Sequence, residues 1–495
     1  MQIEVGEPRS PGWWFQRLMN RLADREREAR LDKLHNYLNG KPALPVASDS
    51  LREMFEAFQR KACSNFPALV VGAVSNRLAP VGFQTAVDDD VSGDVEAGRL
   101  WERAGMPIVA ADVHELMLNL GEAFVIVGPV DDETDAPTVT AEDPRRMVAE
   151  ADPARPQRLL AALKVLHDDV DGVDRAYLYL PGRVFVAVKA NSVKLQWPPR
   201  FGADWVWEVS KGGAEGQDLG HGRMPVVRFL NKRGLGEYET HLDVVDRINH
   251  GMLFRLCVAA SQAFRQMAVT GLPDVDEEDQ PIDYSKQFTL APGAFWQLPP
   301  GAEMWESKVT DVRQLVELSK DDIAQLAAVT ETPMYMMIPG GQNQSAEGAS
   351  LAREGLVFRA EDRRDRVTGR WAETMSLMFE VTGDADRAQL ARLRTLWKPI
   401  NRLSLSEKAD AASKAQNDIP RRSRLIELWG FPPDKADRMM TEWADEQVLA
   451  AQLVAVNAAG QPIPPPVPQV PEPVDPLAGM DLETIAGAEP VMTEL

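Results

Sequence analysis

Three adjacent carboxylates, Asp88, Asp89 and Asp90, come closest in this sequence to a group that could bind a metal ion. Carboxylate oxygens are preferred ligands of Mg²⁺ and Ca²⁺, and a bound divalent ion could support hydrolysis of DNA. Adjacent carboxylates without a fixed scaffold, however, are typical of a solvated loop. We therefore predict no catalytic residue, metal or cofactor, and a metal-dependent nuclease or hydrolase using these aspartates stays an alternative.

The histidines and the short motifs offer little further chemistry. No H-E-x-x-H pattern occurs, and we interpret His114 with Glu115 as a structural pair on a helix. His241 and His250 are nine residues apart, so a helix places them on opposite sides and they cannot share a ligand. The chain also lacks the phosphate-binding G-x-x-x-x-G-K-[ST] loop and the G-x-S-x-G elbow.

Composition restricts the class of protein. The 495 residues include 54 basic and 75 acidic side chains, a formal charge of −21. This balance argues against tight, sequence-independent binding of nucleic acid over a large surface. Two cysteines, Cys63 and Cys257, form no disulfide framework and are interpreted as buried thiols. No run approaches the roughly 18 apolar residues of a membrane span, so we expect a soluble protein with no membrane partner.

The longest uninterrupted pattern follows a loop that begins at Thr332. Ser345 is a suitable N-cap, and no proline occurs from Ala346 to Val381, a predicted helix of roughly 50 Å. A helix this long suggests a coiled coil, a strut or a helix shared between subunits. Its predicted apolar face comprises Val367, Trp371, Met375 and Met378. Its predicted charged face comprises Arg353, Arg359, Arg363, Arg364, Arg366, Arg370, Glu354, Glu361, Asp362, Asp365 and Glu373, with Asp362 and Arg366 as an i,i+4 pair.

The remaining elements support a mixed fold. Helices are expected around Leu18–Leu38, with Trp13 and Trp14 packing on a core, and from Asn65, Val95 and Val109, the last ending at Gly121. Short β-rich runs then predict an antiparallel meander: Ala123–Val127, Thr138–Ala141, Leu159–Leu166, Ala176–Leu180, Val184–Val188, Trp205–Val209 and Val226–Phe229. The predicted fold class is therefore α+β.

Two further helices are expected to flank a small insert. Gly236–Thr270 carries an apolar stripe, and Asp311–Thr330 carries another. The stripe of the first comprises Tyr238, Leu242, Val245, Met252, Leu256, Ala260, Ala263 and Met267. Strands are expected between them at 288–290 and 295–298. Shorter helices follow residue 383. Eight of the sixteen residues at 461–476 are proline, so 461–495 is predicted to be a disordered acidic tail.

In this order, the segments resemble the portal proteins of tailed double-stranded DNA bacteriophages, in the long-tailed actinobacteriophage branch. The resemblance covers most of residues 30–440, and none of its motifs is a catalytic signature. The matching segments are Leu38–Gly40 followed by Pro45, the Asn65–Phe83 run, Asn231–Gly234, Pro292–Trp296, and Thr332-Pro333 with Ser345–Gly348.

The resemblance implies a portal-type fold and a homo-oligomeric ring, usually a dodecamer, at one capsid vertex. The ring would pass double-stranded DNA without sequence specificity during packaging and ejection. Its implied partners are the terminase large subunit, head–tail connectors or adaptors, and major capsid and scaffolding proteins. Its implied location is the virion, and the host cytoplasm during assembly. The implied parts are an N-terminal antiparallel-sheet wing (1–235), stem helices (236–270 and 311–331), a clip (271–310), a tunnel loop (332–345), a long wing helix (346–382), a helical crown (383–460) and the tail (461–495).

Two groups of site residues follow from that resemblance. The DNA-facing tunnel loop would comprise Pro339, Gly340, Gly341, Gln342, Asn343, Gln344 and Ser345, whose side chains can form hydrogen bonds but carry no charge. The clip and partner-docking anchors would be Phe288, Phe295, Trp296 and Trp305. Clip strands pairing between subunits would explain why they lack local partners. A simple turn at residues 339–341, a core role for the aromatics, and a non-viral helical scaffold or adaptor remain the alternatives.

Overall fold

The computed structural model of the protein describes most of the chain. The described residues are 1–44, 58–87, 93–189, 197–263, 267–275, 280–282, 284, 300–306, 311–338, 346–401, 405–431 and 433–452. The chain divides into two compact units, Met1–Pro433 and Asp434–Leu495. Within the described ranges, no helix is both long and apolar enough to cross a bilayer.

Helices occur in both the N-terminal and the C-terminal half of the chain. In order they are α1 (Pro11–Leu22), α2 (Arg25–Leu38), α3 (Phe66–Ser75), α4 (Val95–Arg103), α5 (Met106–Leu120), α6 (Leu242–Ala263), α7 (Val312–Val329), α8 (Met334–Met337), α9 (Ala346–Thr382), α10 (Leu405–Lys414), α11 (Arg421–Ser423) and α12 (Pro433–Gln452). Helix α5 ends as predicted at Gly121, whose φ of 89° is left-handed. A Cβ there would lie 2.2 Å from the Gly234 carbonyl oxygen. Glycine is therefore required both by the backbone angle and by the lack of space for a side chain.

The strands lie mainly between α5 and α6. They are β1 (Pro80–Gln84), β2 (Glu122–Asp131), β3 (Ala136–Glu142), β4 (Met147–Asp152), β5 (Arg155–Asp168), β6 (Val173–Leu180), β7 (Arg183–Lys189), β8 (Trp205–Trp207), β9 (Gln217–Asp218), β10 (Val226–Leu230), β11 (Met267–Thr270), β12 (Glu303–Glu306) and β13 (Arg394–Trp397). Together with the helices they confirm the mixed helix-and-sheet architecture that the sequence predicts.

Every strand pair in the described part of the chain is antiparallel. The order β4-β5-β6-β7-β8, with β9 on β7, contains four of the seven runs of the predicted meander: Leu159–Leu166, Ala176–Leu180, Val184–Val188 and Trp205–Val209. Strand β10 instead crosses back to β2 and completes a separate sheet, β10-β2-β3. The sequence pattern did not predict β4, a short strand that ends in acidic and half-buried residues. The prediction of a single meander is wrong for Ala123–Val127, Thr138–Ala141 and Val226–Phe229, which form the separate sheet.

The N-terminal helix α1 covers the larger sheet. Trp14 is 7% exposed and Phe15 is fully buried, and the Phe15 and Trp207 ring centroids lie 5.4 Å apart, edge to face. Such aromatic pairs add favourable energy beyond their buried area. The prediction that the N-terminal aromatics pack on a core is confirmed for Trp14, and Trp13 is partly buried against the same cluster.

The long helix α9 has 37 residues, as the uninterrupted pattern predicts, and crosses the main core. All four residues of its predicted apolar face are fully buried: Val367, Trp371, Met375 and Met378. The Trp371 ring lies 4.5 Å from that of Phe229 and 5.4 Å from that of Trp101, measured between centroids. This helix therefore joins strand β10 to helix α4.

The predicted helix over 236–270 is wrong at both ends. Helix α6 starts at Leu242, directly after a 3-10 turn at Glu239–His241. The chain at Gly236 instead lies against α5, where a Cβ would be 2.2 Å from the Asn119 carbonyl oxygen. At the other end, Met267–Thr270 is strand β11 and pairs with β12. The apolar stripe is also displaced, because α6 packs against α7 and against the segment near Ala62. Of the predicted stripe, Tyr238 and Val245 are buried and Leu242, Met252, Leu256 and Ala260 are half-buried. Ile248, Leu253 and Cys257, which are outside the predicted stripe, are buried.

Helices α6 and α7 form an antiparallel pair. Arg247 near the start of α6 lies 2.8 Å from Asp322 in the second half of α7. One turn along α6, a Cβ on Gly251 would lie 3.8 Å from the Ser319 hydroxyl, so the two helices approach closely there. The α7 face predicted to be apolar is turned inward, with Leu326 fully buried and Leu315, Val316 and Ile323 half-buried.

Candidate functional site

The predicted DNA-facing residues, Pro339 to Ser345, lie outside the described residues, as do Phe288, Phe295 and Trp296. The chain on both sides of residues 339–345 is described, however. Helix α8 ends at Met337, which is 6% exposed and belongs to the main core. Helix α9 begins at Ala346. The candidate site is therefore built from the elements that position the two ends of this segment.

A tight turn reverses the chain between α7 and α8. Glu331 has a φ of 49°, a left-handed conformation that side-chain-bearing residues seldom adopt. The turn is held by the Thr332 amide, which donates to the Ala327 carbonyl at 2.9 Å. The Thr330 hydroxyl donates to the Leu326 carbonyl at 2.7 Å. Both threonines are 3% exposed, so the start of the segment is fixed inside the core.

Two arginines, one turn apart on α9, converge on one buried carboxylate. Arg363 donates from Nε to Glu237 Oε1 at 2.6 Å and from Nη2 to Oε2 at 3.2 Å, which is a bidentate pair. Arg359 Nε lies 3.6 Å from Glu237 Oε2, an ion pair without a hydrogen bond. The side chains of Arg359, Arg363 and Glu237 are 6%, 9% and 1% exposed. We call Glu237, Thr330, Thr332, Arg359 and Arg363 the arginine junction.

The arginine junction connects four parts of the chain. Asn231, just after β10, donates from Nδ2 to Glu237 Oε1 at 2.9 Å and so orients the carboxylate. Arg359 donates from Nη2 to the Thr332 hydroxyl and to the Val70 carbonyl, both at 3.4 Å. Helix α9 is thus tied to the segment ahead of α6, to the turn after α7, and to α3.

Burial affects the two guanidinium groups differently. Burial lowers the pKa of Arg359 to about 10, although Glu237 raises it. For Arg363 burial also opposes the charge, but its hydrogen bond with Glu237 prevails and raises the pKa. Both arginines therefore stay protonated near neutral pH and share the buried Glu237, while Arg363 also pairs with the half-exposed Asp362. Arg363 is the tighter partner.

Sequence reasoning placed Arg359 and Arg363 on the exposed charged face of α9, and this is wrong. A signal that could have found them was present. Continuing the apolar stripe backwards from Val367 by four residues reaches Arg363, and by four more reaches Arg359, beside the buried Leu356 and Ala360. The prediction for the outer face is confirmed at Asp362 and Arg366, which pair at 3.0 Å.

The β11–β12 ribbon carries the one predicted clip anchor that is described. Trp305 lies on β12 opposite Ala268 and is 56% exposed, and the adjacent Met304 is 53% exposed. These strands pair with each other within one chain. They replace the last residues of the helix predicted to reach Thr270, and they frame the insert predicted to be the clip. The strands predicted at 288–290 and 295–298 lie outside the described residues.

The described residues contain no group of three His, Cys, Asp or Glu side chains that could hold a metal ion, and Asp88–Asp90 lie outside them.

His114 is fully buried, and its Nε2 accepts a hydrogen bond from Trp371 Nε1 at 2.9 Å. Burial lowers the pKa of His114 to about 3, so it is neutral in the fold. His114 is therefore a core residue whose partner is Trp371 on α9.

Comparison with known proteins supports the resemblance seen in the sequence. The chain is 25% identical over 440 residues to the portal protein of Mycobacterium phage L5, covering 83% of this chain and 84% of that protein. It is 24% identical over 430 residues to the portal protein of Mycobacterium phage D29, covering 81% and 83%. The predicted resemblance to phage portal proteins is confirmed. No model of a known protein family matches the chain.

Solved structures with a similar chain course come from gene transfer agent particles. One is the neck of an empty particle computed with C6 symmetry, with a TM-score of 0.42 and 11% identity, covering 79% of this chain and 96% of that chain. Another is the virion of the native particle, with a TM-score of 0.40 and 12% identity, covering 81% and 99%.

Proposed function

We propose that this chain is the subunit of a bacteriophage portal, a ring at one capsid vertex through which double-stranded DNA is packaged and later ejected. The observation that carries the proposal is the sequence similarity to two mycobacteriophage portal proteins along more than four fifths of this chain. By this proposal the ring is a dodecamer and the protein has a structural rather than an enzymatic role. It works in the virion after assembly in the host cytoplasm.

The parts of the portal follow the observed elements. Helices α6 and α7 are proposed as the stem, because they form an antiparallel pair that leads at one end into the β11–β12 ribbon. That ribbon is the base of the clip, which spans 271–310 with the exposed Trp305 as a docking residue. Helix α9 is the wing helix, and residues 383–460 form the crown.

The segment 339–345 is proposed to face DNA in the channel. Its tip, Gly340 to Gln344, contains glycine and amide side chains and no charge. Amides can donate hydrogen bonds to phosphate oxygens, but they lack the ionic attraction that makes binding tight. With a subunit charge of −21, the ring would let a polyanion pass without holding it.

The arginine junction is proposed to set the base of that segment. Glu237 lies ahead of α6, Thr332 lies after α7, and Arg359 and Arg363 come from α9. A tilt of the proposed stem would strain these buried contacts. The junction therefore couples the position of the stem to that of the DNA-facing segment.

The same proposal names the partners. The terminase large subunit and the head–tail connector or adaptor would dock on the clip end, where Met304 and Trp305 are exposed. Major capsid and scaffolding proteins would surround the wing. Aromatic side chains such as Trp305 are enriched in protein interfaces.

The test removes Gly340–Gln344 in a packaging assay. We expect the variant to form rings by negative-stain microscopy but to protect far less DNA from nuclease. Replacing the same residues with a glycine–serine segment of equal length is the matched control and should retain packaging. Replacing Gln342, Asn343 and Gln344 with aspartate should block packaging by charge repulsion. A deletion variant that packages normally would overturn the DNA-facing role, and one that forms no ring would show that the segment serves assembly.

A further inference from the structure

A cavity in the unit Met1–Pro433 is lined by basic side chains from separate parts of the sequence. It has a volume of about 330 Å³. Arg77 follows α3, Lys398 follows β13, Lys408 lies on α10 and Trp429 lies beyond α11. Asn76 and Asn401 add amide groups. We call these six residues the cationic pocket.

The fold brings these groups together through a short sheet. Strand β1 pairs with β13 so that Pro80 lies opposite Trp397. The Lys398 amide continues the ladder by donating to the Ala79 carbonyl at 3.0 Å. Arg77, just ahead of β1, and Lys398, just after β13, are therefore neighbours on one wall, although more than 300 positions separate them in the sequence.

Two of the three cations are held in place. Lys408 Nζ donates to the Trp429 carbonyl at 3.0 Å, which links α10 to the chain beyond α11. Arg77 Nη1 donates to the Ala73 carbonyl at 2.6 Å. An ammonium group has three N–H donors and a guanidinium group has five. The single bond of Lys408 therefore leaves donors on its ammonium group for a ligand.

The charge around the cavity is one-sided. Among the described residues that line it, none is aspartate or glutamate, in a chain whose acidic residues outnumber its basic ones by 75 to 54. The carbonyl end of α3 near Asn76 contributes a partial negative charge of roughly one half. The full positive charges of Lys398 and Lys408 outweigh it, so the pocket attracts anions although the protein as a whole repels them.

We propose that the cationic pocket binds a phosphate group. Arginine and lysine are the side chains that bind phosphate oxygens most often, and amide N–H groups add neutral donors. The volume lies within the range of roughly 300–1,000 Å³ of small-molecule sites, which leaves room for a nucleotide-sized group. The Trp429 ring gives that group an apolar wall. The phosphate is either a phosphodiester of DNA or a free phosphate.

The inference does not rest on the portal proposal, because the pocket belongs to one chain and its binding is measured directly. The test compares the wild-type chain with the charge reversal Lys398→Glu/Lys408→Glu. The matched control is Lys211→Glu/Lys232→Glu, which changes the net charge equally at exposed lysines outside the pocket. One arm measures the thermal shift caused by inorganic phosphate against chloride at equal ionic strength. The other measures anisotropy of a labelled DNA duplex of about 20 base pairs.

We expect the pocket variant to lose the phosphate-induced thermal shift and to bind the duplex at least about tenfold more weakly, with a salt slope lower by roughly two. The control should stay within about twofold of wild type. Loss of the phosphate shift with unchanged duplex binding would assign the pocket to free phosphate. Equal losses in both variants, or no loss in either, would overturn the proposal. Should the double variant misfold, Lys398→Ala, at an exposed position, gives the same comparison with one charge removed.

Discussion

Arg363 Nε on the long helix α9 lies 2.6 Å from Glu237 Oε1, across 126 positions of sequence, and both side chains are buried. Two charges removed from water must be compensated by each other and by hydrogen bonds. Here the carboxylate also faces Arg359 and accepts a hydrogen bond from Asn231. The contact therefore fixes α9 relative to the chain ahead of α6, and its loss leaves like charges together in the core.

The first prediction concerns the carboxylate of the arginine junction. Glu237→Gln keeps the shape of the side chain but removes the buried carboxylate that Arg359 and Arg363 share, and Arg363 keeps only the half-exposed Asp362 as a counter-charge. We expect a loss of about 3–5 kcal/mol in the free energy of unfolding, measured by urea denaturation.

The matched control for this change is Asp410→Asn. It breaks an exposed i,i+4 pair with Lys414 that spans 2.7 Å, and such pairs contribute less than about 1 kcal/mol. Equal effects of the two substitutions would mean that the buried ion pair does not stabilise the fold.

The second prediction concerns the strained turn after α7. Glu331→Gly and Glu331→Ala both remove the carboxylate, so they differ in backbone freedom at a φ of 49°. We expect the glycine variant to be more stable than the alanine variant by about 1 kcal/mol. Thermal denaturation of the pair measures this difference. An alanine variant as stable as the glycine variant would show that the turn relaxes without strain.

The third prediction concerns stability in acid. The ordinary pKa of histidine is about 6.5, and burial lowers the pKa of His114 to about 3 in the fold. The unfolded chain thus binds a proton below pH 6.5 that the folded chain rejects until about pH 3. The free energy of unfolding is therefore unaffected by His114 above pH 6.5. It falls as the pH is lowered, by about 2 kcal/mol at pH 5.

Burial also lowers the pKa of His35, His221 and His241, so they add to the loss with the same sign. The measurement is therefore the difference between wild type and His114→Gln, whose amide oxygen can accept the Trp371 hydrogen bond. We expect the urea midpoint of the variant to fall less between pH 7 and pH 5. An equal fall of the urea midpoint in wild type and variant would contradict the assignment of a lowered pKa to His114.

The fourth prediction concerns the proline-rich end of the chain. Truncation after Gly460 removes a segment whose composition offers little apolar surface to bury. We expect the melting temperature to change by no more than a few degrees, measured by differential scanning calorimetry. A large decrease would show that residues after Gly460 stabilise the fold.

Local patterns predicted several elements well. The absence of proline predicted α9, and the helical spacing of Val367, Trp371, Met375 and Met378 predicted its buried face. Alternating β-rich runs predicted the β5–β6–β7 hairpins. In each case the determining interactions lie within one element or between neighbours in sequence.

The failures come from contacts between distant parts of the chain. Strand β11 was taken for helix because its partner, β12, lies more than 30 residues further on. Arg359 and Arg363 were placed at the surface because their counter-charge, Glu237, precedes them by more than 100 residues. The pairing of β10 with β2 escaped prediction for a similar reason, because the two strands are about 100 residues apart in sequence. Single-sequence periodicity carries no information about such partners.

The central claim, a portal ring, is tested most directly by electron microscopy of the purified full-length chain with class averaging. The account predicts closed rings with an open central channel and a particle mass of twelve times the 54.8-kDa subunit. A tag inserted between Gly341 and Gln342 should add density inside the channel. Monomers or small oligomers without a pore, under conditions that keep the chain folded, would contradict the account.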